Sequence, residues 1–140
     1  MSGTAPGVIE RGIVTALAAN VTLLALGITG VYDALPSRAV YPFVLYEFVW
    51  GSDVYVLEGV RVHTQALYQV RVCCDSGSVG KMAAVAAAID KALHGLRASN
   101  EDGWILACHR DAPLKLPTEH TAMGAYYSQG GVYRFWVQEA

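Results

Sequence analysis

The chain has 140 residues and a mass of 15.0 kDa, with 54% hydrophobic and 16% charged residues and a formal net charge of −2. Such a length suits a single domain, residues 1–140, burying roughly 70% of the surface its unfolded chain would expose. Near-neutrality leaves no basic field for gripping nucleic acid, and three cysteines, two of them adjacent, make no disulfide framework.

In chain order, residues 1–7 are small and include Pro6, and are expected to be flexible. Ile9, Ile13 and Leu17 recur every four residues, which predicts a first helix over 8–19. Asn20 is placed to cap a short second helix, 21–26, that stops at Gly27. The uncharged run Gly12–Tyr32 is long enough to cross a bilayer. It carries Asn20, several threonines and glycines, and flanks without the charge bias of a signal or anchor, so no membrane is expected.

Residues 28–32 form a short strand candidate, and 33–42 a loop. Phe43–Trp50 is apolar on both faces except at Glu47, the pattern of a central strand or of one covered by a partner. A turn is expected at Gly51-Ser-Asp53, followed by an arm over 54–60. Ala66, Tyr68, Val70, Val72 and Cys74 alternate with polar residues in a long strand, 62–74. Asp75 and Ser78 offer caps for an alanine-rich helix whose stripe is Val79, Met82, Ala86, Ile89 and Leu93, ending at Gly95 or Asn100. Asp90, Glu101 and Asp102 are expected to be solvated. A polar loop (98–103), a strand (104–108) and a proline-bearing excursion (109–120) follow. Two strands, 122–127 and 132–138, then flank a turn at Ser128-Gln-Gly-Gly131. The fold class is α+β: two layers, a largely antiparallel sheet with two main helices packed on one face.

Little of this asks for chemistry. Gly77-Ser-Val-Gly-Lys81 lies between strand and helix, but two residues separate its glycines and Met82 follows the lysine, so it is no phosphate loop. Cys73, Cys74, Cys108, His63, His109 and His120 lack the spacings that aim two ligands at one metal. No nucleophile elbow selects a triad. The reading is of a non-enzyme without cofactor, metal or catalytic residues. The surplus is aromatic, and it serves either a core or subunit contacts.

Three stretches carry a resemblance. They are Gly30-Val-Tyr-Asp33 with Tyr41-Pro-Phe-Val-Leu-Tyr46, then Arg71-Val-Cys-Cys-Asp75 with the alanine-rich helix, and then Tyr126-Tyr-Ser-Gln-Gly-Gly-Val-Tyr-Arg-Phe-Trp-Val137. In this order and spacing they resemble the tail terminator (tail completion, head-to-tail joining) proteins of long-tailed bacteriophages. The resemblance implies a structural virion protein of the tail–neck region, made in the host cytoplasm. Its copies would form a ring, commonly a hexamer, that ends tail-tube polymerisation. Its partners would be itself, the tail-tube protein and a head-completion, stopper or connector protein, with DNA passing through unread. Subunit-interface candidates are Phe48, Trp50, Tyr55, Leu57, Tyr126 and Trp136. Alternatives are another neck or tail component, such as a stopper or tube subunit, and a small ligand-binding α+β domain.

Overall fold

Six strands form one mixed sheet that curls into a half-barrel, as seen in a computed structural model that describes residues 5–38, 40–55, 57, 59, 61–122 and 124–139. The elements are α1 (Ala5–Ala18), α2 (Val21–Ala25), β1 (Val31–Tyr32), β2 (Phe43–Tyr55), β3 (Arg61–Cys74), α3 (Met82–Leu93), β4 (Ala98–Asn100), β5 (Gly103–Thr121) and β6 (Gly124–Glu139). Sheet order is β1-β2-β3-β6-β5-β4; β1 runs parallel to β2 and every other neighbouring pair is antiparallel. The fold class expected from the sequence is the one observed.

The alternation read in β3 and β6 decides which face is covered. Ala66, Tyr68, Val70, Val72, Cys74, Tyr133, Phe135 and Val137 meet Val8, Ile9, Ile13 and Leu17 of α1 and Val85, Ile89 and Leu93 of α3 in one core. Each large side chain fully buried there contributes about 1.5–3 kcal/mol. Gly12 lets α1 lie close to β5, because a Cβ there would run into Ile105. On the other face a small cluster of Phe43, Leu45 and Cys73 is flanked by Tyr32 and Tyr41. Cys74 and Cys108 are core residues, and Cys73 lies on the opposite face from Cys74.

Several expectations need correction. α1 begins at Ala5, whose N–H donates to Glu139 Oε1 at 3.0 Å, so 5–7 are helical; residues 1–4 of the stretch expected to be flexible lie outside the described residues. Asn20 does cap α2, accepting from the Leu23 N–H. α3 is entered through a 3-10 turn at Val79–Lys81, and Asp75 and Ser78 bond one another instead of capping it. Gly95, at φ +82°, ends the helical segment as expected.

β2 passes straight through Gly51–Asp53, where a turn was expected, because Asp53 Oδ1 accepts from Thr64 Oγ1 of β3 at 2.7 Å and the strands stay paired to Tyr55 and Arg61. Of the expected arm, Val56, Glu58 and Val60 lie outside the described residues. Residues 98–100, read as loop, pair with β5. The excursion over 109–120 is strand, despite Pro113 and Pro117: no described strand covers the outer edge of that half of β5, and Pro117 falls in a register shift between Leu116 and Glu119. Ser128–Gly131 is mid-strand. Gly130 serves close approach there, since a Cβ would fall on the Val70 carbonyl and Arg71 Cα of β3. The chain reverses instead between Thr121 and Gly124.

Charged residues expected in solvent are partly engaged. Asp90 accepts from the Tyr133 hydroxyl at 3.1 Å, and Asp102 is buried against Arg11 Nε at 2.9 Å, with Glu101 also bonded to Arg11. No described helix is long and apolar enough to cross a membrane.

Candidate assembly interface

Two rows of paired residues define the ends of the sheet. Asp53, Thr64, Val137 and Ile105 lie abreast near the upper end, where β2 turns into β3. Phe43, Cys73, Ser128 and Leu116 lie abreast near the lower end, where β5 turns into β6. β1 pairs only with Val44 and Leu45, so no described strand covers the outer edge of β2 above Leu45.

That unpartnered half of β2 carries the apolar surplus. Phe48, Trp50, Tyr55 and Leu57 are 55%, 45%, 58% and 107% exposed. A bulge at Val49 separates the first two: Phe48 stays on the helix-bearing face, edge-on to Tyr68 at 5.7 Å, and Trp50 comes opposite Leu67 on the open face. Four further exposed apolar residues, Val49, Val62, Trp104 and Leu106, stand at the same end and were not among the interface candidates read from the sequence. Their signal was present in Trp104-Ile105-Leu106, where only the central residue is buried.

The six interface candidates do not form one patch. Trp136 is half-buried on the open face against the His109 ring, 4.8 Å away, and joins Trp50 through Arg134, whose guanidinium carbon lies 5.9 Å from the Trp50 ring centroid. Tyr126 belongs to the lower end, where it stacks on Tyr41 at 5.3 Å. Desolvation, then Tyr126, pushes the Tyr41 hydroxyl up to about 12.

The open face pairs its charges. Arg134 makes a two-pronged contact with Asp111, at 2.9 and 3.2 Å, and reaches Gln65 at 3.1 Å. Hydrogen bonding to Arg134 holds the Asp111 carboxyl below its ordinary range. Arg71 donates to Glu47 and Ser128, both at 2.8 Å. The Arg134–Asp111 contact was hidden from sequence reading because 109–120 did not look like strand. A cavity of about 320 Å³ opens beside Arg71, lined also by Leu35, Pro36, Tyr41, Phe43 and Glu119. Nη1 and Nη2 of its one guanidinium are engaged, by Ser128 and Glu47, while Nε is buried without a hydrogen-bond partner. Among the described residues no group of three or more His, Cys, Asp or Glu side chains could hold a metal.

The covered face keeps its polar groups neutral or bonded. Tyr68 donates to Glu10 at 3.0 Å, and burial raises the pKa values of Tyr68 and Tyr133 above the ordinary phenol range. Burial likewise pushes Cys108 up to about 12, which leaves a protonated, inert thiol.

Residues 11–118 match the family model of the tail completion protein gp17. A chain of a solved structure described as the virion of a native gene transfer agent particle aligns with a TM-score of 0.68. That alignment covers 98% of each chain at 20% identity, a likeness of fold. No curated protein sequence matches the chain.

Proposed function

Because this chain belongs to the tail completion protein gp17 family, we propose that residues 1–140 act as one tail-terminator domain whose copies form a ring at the head-proximal end of a phage-type tail. The ring, a hexamer in this reading, ends tail-tube growth and joins the tube to a stopper or connector protein in the neck. The role is structural, with no catalytic step and no cofactor.

The observation that supports a ring is the exposed upper half of β2. A free subunit does not hold Phe48, Val49, Trp50 and Tyr55 in water without consequence, and a partner that covers them gains roughly 25 cal/mol for each Å² removed from solvent. A closed ring also needs a heterologous contact, one patch against a different one, and the upper and lower ends of the sheet differ in this way. Paired charges on the open face suit a wall past which DNA slides: Arg71 and Arg134 are each matched by a carboxylate, so little free positive charge is left for phosphates.

The test is the mass of the purified protein across concentration, with imaging of any assembly. Six copies give about 90 kDa, a mass that a closed ring holds as concentration rises. Open-ended tubes would point to a tube subunit, and a monomer at every concentration would count against a self-assembling ring. Phe48→Asp is expected to leave the monomer folded and to abolish the ring.

A further inference from the structure

The sheet has two long free edges, and short strands decide where they are free. β1 occupies the outer edge of β2 at its lower end only, at Val44 and Leu45, so no described strand covers the outer edge of Tyr46–Tyr55. β4 occupies the outer edge of β5 at its upper end only, at Gly103–Ile105. Just below, the Cys108 carbonyl accepts from the Gly95 N–H and the Arg110 N–H donates to His94. From Ala112 to Thr121 no described strand covers that edge. One edge is therefore open in its upper half, and the other, on the opposite side of the sheet, in its lower half.

From these halves we infer that copies of this chain join by a lap joint, the upper half of β2 in one copy adding as a strand to the lower half of β5 in the next. The inference rests on the ring reading above and specifies its interface. Direction fits. The four long strands in order, β2, β3, β6 and β5, alternate. Rotation about a ring axis preserves direction, so β5 meets the next β2 antiparallel, as every long pair within the subunit does.

Stagger fits as well. With β4 above and the neighbour's β1 below, the two free halves meet only if successive copies are offset along the strands. A curled sheet needs such an offset to close, with its strands tilted about 35–45° to the axis. Side chains agree: Lys115 lies on the helix-bearing side of β5, opposite Gln129, and has no carboxylate partner among the described residues. On the upper half of β2, Asp53 faces the same side, where it already accepts from Thr64 and lies 3.6 Å from Arg61.

Symmetric pairing is disfavoured at β5. Pro113 and Pro117 remove donors and Lys115 lies between them, the means by which proteins blunt a free edge. Two such edges would lack donors on both sides, whereas β2 has no proline, so a β2–β5 joint lacks only the donors missing at Pro113 and Pro117. In the joined sheet the open face, carrying the Arg71–Glu47 and Arg134–Asp111 pairs, becomes a continuous wall free of helices.

The test is disulfide trapping in the full-length protein, whose three native cysteines are buried. Ser52 lies on the open face of β2, and Ala112, Leu114 and Leu116 lie on the open face of β5. Ser52→Cys is combined in turn with Ala112→Cys, Leu114→Cys and Leu116→Cys, each variant is checked for an unchanged urea midpoint, and all are oxidised at ring-forming concentration. The expected result is a non-reducing gel ladder reaching the ring's full copy number for one or more double variants, with every single variant monomeric. A ring-sized mass without a ladder overturns the lap joint and spares the ring. A disulfide dimer from Ser52→Cys alone overturns it in favour of symmetric β2 pairing. A ladder without limit upholds the joint and overturns the closed ring. A monomer with no ladder overturns both.

Discussion

The two faces of the sheet solve opposite problems with the same strands. The helix-bearing face buries Tyr68, Val70, Tyr133, Phe135 and Val137 beneath α1 and α3, and its polar groups are hydroxyls bonded to Glu10 and Asp90. The open face keeps two arginine–carboxylate pairs and three partly exposed tryptophans, Trp50, Trp104 and Trp136, in water. Surface ion pairs stabilise by about 0–1 kcal/mol each, and a buried aromatic by several times that, so the energy that holds the fold is concentrated on the helix-bearing face.

Substitutions can break this division. Phe135→Ala, at a fully buried site, is expected to destabilise by about 3–5 kcal/mol in urea unfolding. Gly130→Ala forces a methyl onto the β3 backbone and is expected to cost about 1–3 kcal/mol, although the residue looks like a turn glycine. Tyr133→Phe removes the bond to Asp90 and is expected to cost about 1.5–3 kcal/mol, less if water reaches the carboxylate. Asp111→Asn on the open face is expected to change stability by less than about 1 kcal/mol while leaving the core intact. A loss as large as that of Phe135→Ala would sink the comparison.

pH sharpens the same contrast. Tyr68, Tyr133 and Cys108 have folded values raised by burial, so the stability they contribute is fully present below their unfolded values, about 8.5 for a thiol and 10 for a phenol. It is lost as pH climbs toward the folded values, about 12 for Cys108. Asp111 has a lowered value, so its smaller contribution is present above about pH 4 and lost as pH falls through the folded value. Urea midpoints measured against pH should therefore fall on the alkaline side in the wild type and in Asp111→Asn alike, with only the acid limb changed in the variant.

What the chain determined by itself is the period of each element. Alternation in 62–74 and 132–138, the three-and-four spacing of the helices, the Asn20 cap and the stop at Gly95 are local properties, set by where successive side chains point. The apolar surplus on 48–57 was visible in the sequence, which left open whether a core or a partner takes it; the fold leaves Phe48, Trp50, Tyr55 and Leu57 exposed.

Tertiary structure alone decided where strands continue. Gly51, Pro113, Pro117 and the pair Gly130–Gly131 are turn residues by local preference, yet each lies within a strand. Gly130 is there because the backbone of β3 comes too close for a Cβ, and the prolines are tolerated because no described strand pairs with their outer edge. Both reasons lie in a partner strand distant in sequence, or in its absence, which the order of residues does not record. The pairing of Asp111 with Arg134 followed from the same hidden register, and so did the two free half-edges on which assembly is proposed to turn.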